Sequence, residues 1–315
     1  MKVAVCIPTW NRSTTLIFAI DSLLHQKQSE FDIYIFDDAS PDNTQEVIKT
    51  KYADKVNYFR SSENIGYVNN INRCLALAEM YDWIGILHDD DCHVGESVAT
   101  TLKYARKYPN SGIIFSQYHD MNAEGEITLL RESEERIWMA GKDAIQKCQS
   151  QIPCSTTFYS SRAILDSGFY SLDFLYSADE EYATRIASRY DVTQTKEVLA
   201  CYRRHRGHQM IKTWCKPDFI QSFEKMRLTM AQYLGTERKD TLYVVRQNIA
   251  EIFQASAGWL AAEGHWYPAL RFHIYAVRYR PKLYFGWKPI VHAILQSTPL
   301  VCQMYNSRRL GRIKE

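Results

Sequence analysis

The sequence of 315 residues lacks the features that mark membrane-spanning and zinc-binding proteins. It contains no charge-free apolar run of about 18 residues, so we expect no transmembrane helix. Its eight cysteines are scattered without a CxxC pair, which argues against a zinc site and favours reduced thiols in a cytoplasmic protein. The amino terminus lacks the apolar core and the small-residue cleavage site of a secretory signal, so we expect none.

Acidic residues are almost absent from the last part of the chain. From Gly264 to the end, nine lysines and arginines accompany a single acid, Glu315, which gives a net charge of +8. The preceding 263 residues carry 29 basic and 35 acidic groups, a net charge of −6. This asymmetry predicts two regions with different partners, one over residues 1–212 and a helical C-terminal region over residues 213–315.

The basic C-terminal region is also rich in aromatic residues. This combination suits the surface of an anionic bilayer, and we expect a cytoplasmic protein attached peripherally to the inner face of the cell membrane. The alternative is a helical appendage whose aromatic side chains pack on the first region or in a homodimer. No recognition motif accompanies the basic residues, so we expect no nucleic-acid partner. The aromatic residues concerned are Trp266, Tyr267, Phe272, Tyr275, Tyr279, Tyr284, Phe285 and Trp287.

Strand-like and helix-like segments alternate through the first half of the chain. Short apolar runs such as KVAVCIP, DIYIFDD and WIGILHDD indicate strands, whereas STTLIFAIDSLLHQ has apolar residues at helical spacing after Ser13, a candidate N-cap. This order predicts an α/β fold, with a mostly parallel sheet that carries helices on both faces. Residues 119–152 are polar and irregular, and we expect a loop or flap there. VTQTKEVLACYRRH indicates one further strand, and the pattern after Trp214 is helical throughout.

Chemically reactive residues collect where the predicted strands end. The first strand ends in PTWNR, the second in DDAS and the fourth in HDDD. Ligands of wound parallel sheets bind beyond the carboxyl ends of the strands. We therefore predict that these three segments line one binding site.

Three adjacent aspartates, Asp89, Asp90 and Asp91, follow the fourth predicted strand. Adjacent carboxylates repel one another unless a cation lies among them. Carboxylate oxygens suit Mg²⁺ or Mn²⁺, and these ions also bind phosphate oxygens. The triplet therefore indicates a metal–diphosphate site. The alternative is an acidic turn in which Asp90 or Asp91 caps the next helix.

Two aspartates, Asp37 and Asp38, follow the neighbouring strand. A carboxylate can accept a hydrogen bond from the imide N–H of uracil or thymine, which favours a pyrimidine nucleotide. The alternative is that one of the two caps the helix that follows in DDASPDNT. The basic segment CYRRHRGHQM, with His205 or His208, can contact phosphates and complete a metal shell, or it can be a solvated loop.

Asp179 stands at the start of a predicted helix in SADEEYATRIA. A carboxylate near a helix N-terminus stays ionised, and an ionised carboxylate can act as a general base. The alternative is that Asp179, Glu180 and Glu181 only complement the helix dipole.

In this order, the segments resemble family 2 inverting glycosyltransferases of the GT-A fold, over residues 2–208. The similar segments are IPTWNR, FDDASPDNT, ENIGYVNNINRCL, LHDDDCHVG, GFYSLDFLYSADEEYATRIA and YRRH. The resemblance implies a Rossmann-like GT-A domain, a nucleotide-sugar donor of the UDP or TDP type, and Mn²⁺ or Mg²⁺. It also implies transfer, with inversion, to a hydroxyl of a glycan or lipid-linked acceptor in cell-surface polysaccharide synthesis.

The resemblance also implies roles for single residues. Asp179 is the implied base, and the implied metal ligands are Asp90, Asp91 and His205. His88 stands where many relatives carry an acid, and the division of contacts between Asp89 and Asp91 is left open. The implied nucleotide-binding residues are Pro8, Thr9, Asn11, Arg12, Asp38, Asn64, Gly66, Asn72 and Asp89.

Two other functions fit parts of the pattern. A nucleotidyltransferase that makes sugar nucleotides would need a glycine-rich phosphate loop just after the first strand, and PTWNRSTT contains no glycine. A non-catalytic nucleotide- or glycan-binding module would not need Asp179 and the aspartate triplet together. A diphosphate held by a metal needs no general acid, so a single catalytic carboxylate suffices for transfer.

Overall fold

The structure is a computed structural model, and it describes residues 1–27, 30–149, 152–204, 216, 218–233, 249–258, 260 and 266–280. The chain divides into two compact units, Met1–Arg206 and Gly207–Glu315. The first is an α/β domain, and the described residues of the second are helical. The predicted domain boundary at residue 212 stays a prediction.

Twelve strands of the first unit form two sheets. They are β1 (Val3–Thr9), β2 (Asp32–Asp37), β3 (Asn57–Arg60), β4 (Trp83–Ile86), β5 (Cys92–His93), β6 (Ser111–Phe115), β7 (Tyr118–Met121), β8 (Ile127–Leu129), β9 (Arg136–Trp138), β10 (Phe158–Ser160), β11 (Asp191–Gln194) and β12 (Ala200–Arg203). The large sheet has the order β3-β2-β1-β4-β10-β6-β11-β9, and the small sheet has the order β5-β12-β7-β8. Strands β1 to β4 are mutually parallel, whereas β10 pairs antiparallel with both β4 and β6. The large sheet is therefore mostly parallel, as predicted.

Helices cover both faces of the large sheet. They are α1 (Ser13–Leu24), α2 (Thr44–Lys51), α3 (Tyr67–Leu75), α4 (Ser97–Lys107), α5 (Lys142–Gln149), α6 (Ser161–Ser167) and α7 (Ala178–Ala187). On one face, Val3, Val5 and Ile7 of β1 share a core with residues of α1, α2 and α4. On the other face, Cys6 contacts the backbone of Cys74 in α3. Because β1 is buried on both faces, nearly all of its residues are apolar, which explains the continuous apolar run in the sequence.

Three predictions of local structure were wrong. Residues 119–152 form most of β7 together with β8, β9 and α5, and β8 has only three residues, which is too short for an alternating strand pattern to be recognised. The single strand predicted in VTQTKEVLACYRRH is two strands, β11 and β12, which belong to different sheets. Ser13 is the first residue of α1 rather than its N-cap, and the Asp42 carboxylate accepts a hydrogen bond from the Ser13 N–H at 2.9 Å.

Gly85 allows the antiparallel strand β10 to pack beside β4. It lies directly opposite Phe158 in the β4–β10 register. A Cβ atom at Gly85 would lie 2.5 Å from an atom of the Phe158 ring, which is too close for any side chain. The absence of a side chain at Gly85 therefore leaves room for the Phe158 ring to pack across β4, close to the aspartate triplet that follows this strand.

The described part of the second unit is a helical core with aromatic packing. Its helical segments are Phe219–Tyr233, residues 249–258 and Trp266–Tyr279. Phe272 is buried, with its ring 5.9 Å from that of Phe219 and 5.3 Å from that of Phe253. Part of the aromatic content assigned to a membrane surface thus packs inside this unit. Tyr284, Phe285 and Trp287 lie outside the described residues.

Among the described residues, no helix combines the length and the apolar character that crossing a membrane requires.

We predict that Gly85→Ala lowers the free energy of unfolding by about 1–3 kcal/mol, because the added methyl group would overlap the Phe158 ring. Chemical denaturation of both proteins measures the difference. Gly258→Ala is the control, since nothing lies within 4 Å of an added Cβ atom at that helical position, and we expect it to be neutral or stabilising. An unchanged stability of Gly85→Ala would contradict this account of the β4–β10 packing.

Candidate functional site

The ends of β1, β2 and β4 meet at one edge of the large sheet. Thr9 is paired with Asp37 in the β1–β2 register, and the Asp38 N–H donates to the Thr9 carbonyl at 2.9 Å. The Thr9 hydroxyl donates to Oδ2 of Asp89 at 2.8 Å, which joins the β1 loop to the loop after β4. The structure therefore confirms that the three polar segments lie together.

Asp89 faces the β1 loop. It is 6% exposed, and it accepts hydrogen bonds from the Thr9 hydroxyl, the Trp10 N–H at 3.4 Å and Nη1 of Arg12 at 3.1 Å. Burial raises the pKa of Asp89, and the Arg12 guanidinium opposes that rise. Asp89 is thus a buried carboxylate with partners supplied by a different strand.

Asp91 faces the small sheet. It is 1% exposed, its Oδ1 accepts the Arg203 N–H at 2.8 Å, and its Oδ2 accepts the Ser155 hydroxyl. Burial raises the pKa of Asp91 to about 6, a rise that the Asp90 charge reinforces and His88 opposes. Asp91 therefore links the loop after β4 to β12 and to the 3₁₀ turn Cys154–Thr156.

Asp90 lies between these two and pairs with Nη1 of Arg12 through its Oδ2. Neither Asp90 nor Asp91 caps the next helix. Helix α4 begins only at Ser97, and Oε1 of Gln26 accepts the Val98 N–H at 3.0 Å in its first turn. The interpretation of the triplet as a simple helix cap was therefore wrong.

His88, Asp90 and Asp91 form a group that can hold a metal ion. Each offers one ligand atom, and these atoms all lie within 4.8 Å of one another. One imidazole nitrogen and two carboxylate oxygens suit Mn²⁺ or a similar divalent cation, so the donor set fits the ion that the sequence predicts. We predicted Asp90 and Asp91 as ligands but did not predict His88, although it directly precedes the triplet. His205, the third predicted ligand, lies outside the described residues.

The charge state of His88 depends on its neighbours. Burial lowers the pKa of the imidazole, but Cys154 and the carboxylates of Asp91 and Asp90 outweigh that effect and raise the pKa to about 10. Its Nε2 lies 3.3 Å from the Tyr67 hydroxyl oxygen. Coordination requires the neutral imidazole, so a bound cation would replace the proton on His88.

Asp37 and Asp38 both hold backbone in place. Asp37 is fully buried and accepts hydrogen bonds from Arg60 at 2.7 Å and from the Ser40 N–H at 2.8 Å. Asp38 accepts the Ile65 N–H at 2.7 Å and the Gly66 N–H at 2.9 Å, so it fixes the loop before α3.

The predicted capping of the next helix by Asp37 or Asp38 was wrong. Helix α2 begins at Thr44, and the Thr44 N–H donates to Oδ1 of Asp42 at 3.1 Å.

The other predicted nucleotide-binding residues near β1 and β2 differ in exposure. Pro8 is buried within β1, whereas Asn11 is exposed and has a left-handed backbone with φ 57°. Asn64 is exposed, and its Oδ1 accepts the Gly66 N–H at 3.2 Å. Gly66 has φ 85°, a conformation that favours glycine at the start of α3. Their contact with a nucleotide stays a prediction.

Asn72 has a structural task that the sequence did not indicate. Its side-chain amide donates to the Tyr170 carbonyl at 3.0 Å and accepts the Tyr170 N–H at 2.9 Å. Both ends of the amide therefore fasten the segment that leads to α7 onto α3. The predicted contact of Asn72 with the nucleotide stays a prediction beside this structural role.

Asp179 is the second residue of α7 and is half-buried. Within the described part of the chain, its carboxylate forms no hydrogen bond or ion pair. Burial raises the pKa of the Tyr159 and Tyr170 hydroxyls, and the Asp179 charge adds to both shifts, so the carboxylate lies near this tyrosine pair. A half-buried carboxylate without such partners can accept a proton from a bound hydroxyl group.

Glu181 has a different role from Asp179. It is 1% exposed and forms a two-bond ion pair with Arg185, with distances of 3.0 Å from Nε and 2.9 Å from Nη2. The sequence did not indicate this pair, although the two residues have the helical spacing of four. Because Glu181 is committed to Arg185, it is a poor candidate for the base.

Comparisons with known proteins identify the family of this chain. The family model described as Glycosyl transferase family 2 matches residues 4–169. An uncharacterized glycosyltransferase of Mycoplasma genitalium is 35% identical over 126 residues, which cover 38% of this chain and 42% of that protein. The chondroitin synthase of Pasteurella multocida is 28% identical over 126 residues, which cover 40% of this chain and 13% of that protein.

A solved structure shares the fold over nearly the whole chain. The crystal structure of S. aureus TarS 1–349 in complex with UDP-GlcNAc matches with a TM-score of 0.63 and 18% identity, and the match covers 99% of this chain and 92% of that one. The likeness confirms the predicted GT-A fold. The alignments to the two curated relatives span less than half of each relative's length.

We predict that Asp38→Asn speeds hydrogen exchange at the Ile65 and Gly66 amides and lowers the free energy of unfolding by about 1–3 kcal/mol, because one partly buried N–H loses its charged acceptor. Exchange of the nucleotide-free protein measures the first effect, and denaturation measures the second. Asn64→Ala is the control, since it removes an exposed acceptor from the same Gly66 N–H. Unchanged exchange in Asp38→Asn would contradict the structural role of Asp38.

Proposed function

The chain belongs to glycosyl transferase family 2, and on this basis we propose that it transfers a sugar from a nucleotide-diphosphate sugar, with UDP or TDP favoured, to a hydroxyl group of a glycan or lipid-linked acceptor. The observation that carries the proposal is the cluster of His88, Asp90 and Asp91 at the carboxyl edge of the sheet, where wound α/β folds bind ligands. A carboxylate cluster beside Thr9 and Arg12 suits a diphosphate and its cation better than an uncharged ligand.

Mn²⁺ or Mg²⁺ is the proposed cofactor. His88, Asp90 and Asp91 would hold it, with His205 as a further predicted ligand, and the mixed nitrogen–oxygen set favours Mn²⁺. The bound cation supplies positive charge that stabilises the departing nucleoside diphosphate.

The nucleotide is proposed to bind on the β1 side of the cluster. The Arg12 guanidinium is 38% exposed and can reach phosphate oxygens. Trp10 is 50% exposed beside Asp89, and its ring offers a face for stacking a base. Asp38 is the proposed partner of a pyrimidine ring.

Asp179 is the proposed base of an inverting transfer. It lies in the first turn of α7, on an element separate from the metal-binding cluster. Asp179 takes the proton from the acceptor hydroxyl, and the oxygen attacks the anomeric carbon from the face opposite the diphosphate. The bond from that carbon to the diphosphate breaks in the same step, so the configuration at the carbon inverts.

The proposed setting is cell-surface polysaccharide synthesis at the inner face of the membrane. The similarity to a chondroitin synthase supports a glycan product, and lipid-linked acceptors would place the reaction at a bilayer. The net charge of +8 from Gly264 to the end supports peripheral binding to anionic lipids. Homodimer formation is the alternative use of this region.

The decisive test of the donor is a thermal shift assay with UDP, TDP and GDP, each with and without Mn²⁺. We expect UDP or TDP with Mn²⁺ to raise the midpoint of unfolding, because a ligand that binds only the folded state stabilises it. GDP serves as the purine control and should have a smaller effect. A panel of nucleotide sugars, tested for metal-dependent hydrolysis, then identifies the sugar. If no nucleotide stabilises the protein with any divalent cation, the proposed function is wrong.

We predict that Asp179→Asn lowers the rate of transfer by about 10²–10⁴-fold, because the amide cannot accept the proton. Nucleotide binding, measured by calorimetry, should stay within about threefold of the original value. Asp143→Asn is the matched control, since Asp143 is also the second residue of a helix, α5, and its loss has the same effect on a helix dipole. Transfer at the original rate in Asp179→Asn would show that another group is the base.

A further inference from the structure

Arg12 already supplies a positive charge to the proposed metal site. Its Nη1 lies 3.1 Å from Oδ1 of Asp89, and the same nitrogen pairs with Oδ2 of Asp90. Asp90 belongs to the group that can hold a metal ion, whereas Asp89 does not. A guanidinium keeps its charge at every physiological pH. One protein cation therefore occupies a carboxylate that a divalent cation would need.

The backbone at Arg12 is fixed, but its charged end is accessible. The Arg12 carbonyl accepts the Thr15 and Leu16 N–H groups at 3.1 and 3.0 Å, and the Asn11 N–H donates to the Ser40 hydroxyl oxygen at 2.9 Å. The side chain of Arg12 is 38% exposed, whereas those of Asp89 and Asp90 are 8% and 13% exposed. The guanidinium can thus move on its long side chain while the carboxylates and the main chain stay in place.

A guanidinium and a divalent cation at one largely buried carboxylate, Asp90, repel each other. The repulsion between the two positive charges is strong because the site is largely removed from water, which would otherwise screen it. A diphosphate offers the guanidinium a better partner, since phosphate oxygens accept two parallel N–H bonds from an arginine. Moving Arg12 onto a diphosphate would therefore remove this repulsion from the metal site at Asp90.

We propose that Arg12 is an internal counter-ion that keeps the divalent cation away from Asp90 until a nucleoside diphosphate draws the guanidinium off. The inference rests on the proposed function for the identity of the nucleotide. Metal binding and nucleotide binding are then positively coupled. Because such a coupling is reciprocal, each ligand raises the affinity of the protein for the other by the same factor. Arg12 acts here as a positioning residue through its charge.

The test measures Mn²⁺ binding without nucleotide, by calorimetry or by the paramagnetic resonance signal of free Mn²⁺. We expect Arg12→Gln to bind Mn²⁺ about tenfold more tightly than the original protein, because the repelling charge is gone. Arg12→Lys keeps the charge and should stay close to the original affinity. Arg12→Met is a second neutral variant, which serves if the glutamine variant does not fold.

The matched control is Arg131→Gln. Arg131 is 34% exposed and pairs with Asp120 at 3.0 Å, so this variant removes the same charge from a comparable ion pair in the small sheet. Its affinity for Mn²⁺ should be unchanged. An effect of the total protein charge alone would alter Arg131→Gln and Arg12→Gln equally, and that result would overturn the proposal.

A second measurement repeats the Mn²⁺ titration with saturating UDP or TDP. The original protein should bind Mn²⁺ about tenfold more tightly with nucleotide than without it, and Arg12→Gln should show a smaller factor. Equal or weaker Mn²⁺ binding by both neutral variants without nucleotide would overturn the inference, as would no Mn²⁺ binding by any of the proteins. Failure of every nucleotide to bind would instead overturn the proposed function, while the nucleotide-free comparison would still decide the role of Arg12.

Discussion

The repulsion among three adjacent carboxylates is the constraint that organises this molecule. Asp89, Asp90 and Asp91 follow a buried strand, and two of them are themselves buried, so each needs its own compensating group. The structure meets this need by turning them in different directions. Asp89 bonds to the end of β1, Asp91 bonds to Ser155 and to the backbone of β12, and Asp90 pairs with Arg12. One loop of three residues thereby ties the large sheet to the small one.

The position of the site could be predicted because it follows from the geometry of parallel strands. Polar residues after β1, β2 and β4 had to meet at one edge once those strands lay side by side, and the contacts between Thr9, Asp38 and Asp89 bear this out. The fold class followed from the same alternation of strands and helices. What the sequence could not indicate is the place of β10 between β4 and β6, since the residues of a short strand do not show which strands it pairs with or in which direction it runs.

The roles of single polar residues near the site could not be predicted as well, because ligand binding and structural hydrogen bonds use the same types of side chain. Asp38 and Asn72 both matched segments that suggest nucleotide contact, yet each is engaged with backbone atoms of this chain. His88 is the opposite case, since a lone histidine after an apolar run carries no signal until its distance to Asp90 and Asp91 is known. Glu181 lies in the same helical turn as Asp179, yet its pairing with Arg185 gives it a structural role. Long-range partners, rather than residue type, separate these roles.

The separation of the two charged centres also has a chemical consequence. The cluster after β4 is neutralised from within by Arg12 and by a His88 whose pKa is raised to about 10, whereas Asp179 belongs to a different element and has no ion-pair partner in the described part of the chain. A carboxylate within the triplet would be a poor base, because each of the three is already engaged, Asp89 with Thr9, Asp90 with Arg12 and Asp91 with Ser155. A carboxylate on α7 can act on a hydroxyl group independently of the metal site. The need to hold a cation and the need to accept a proton are thus met by different elements of one domain.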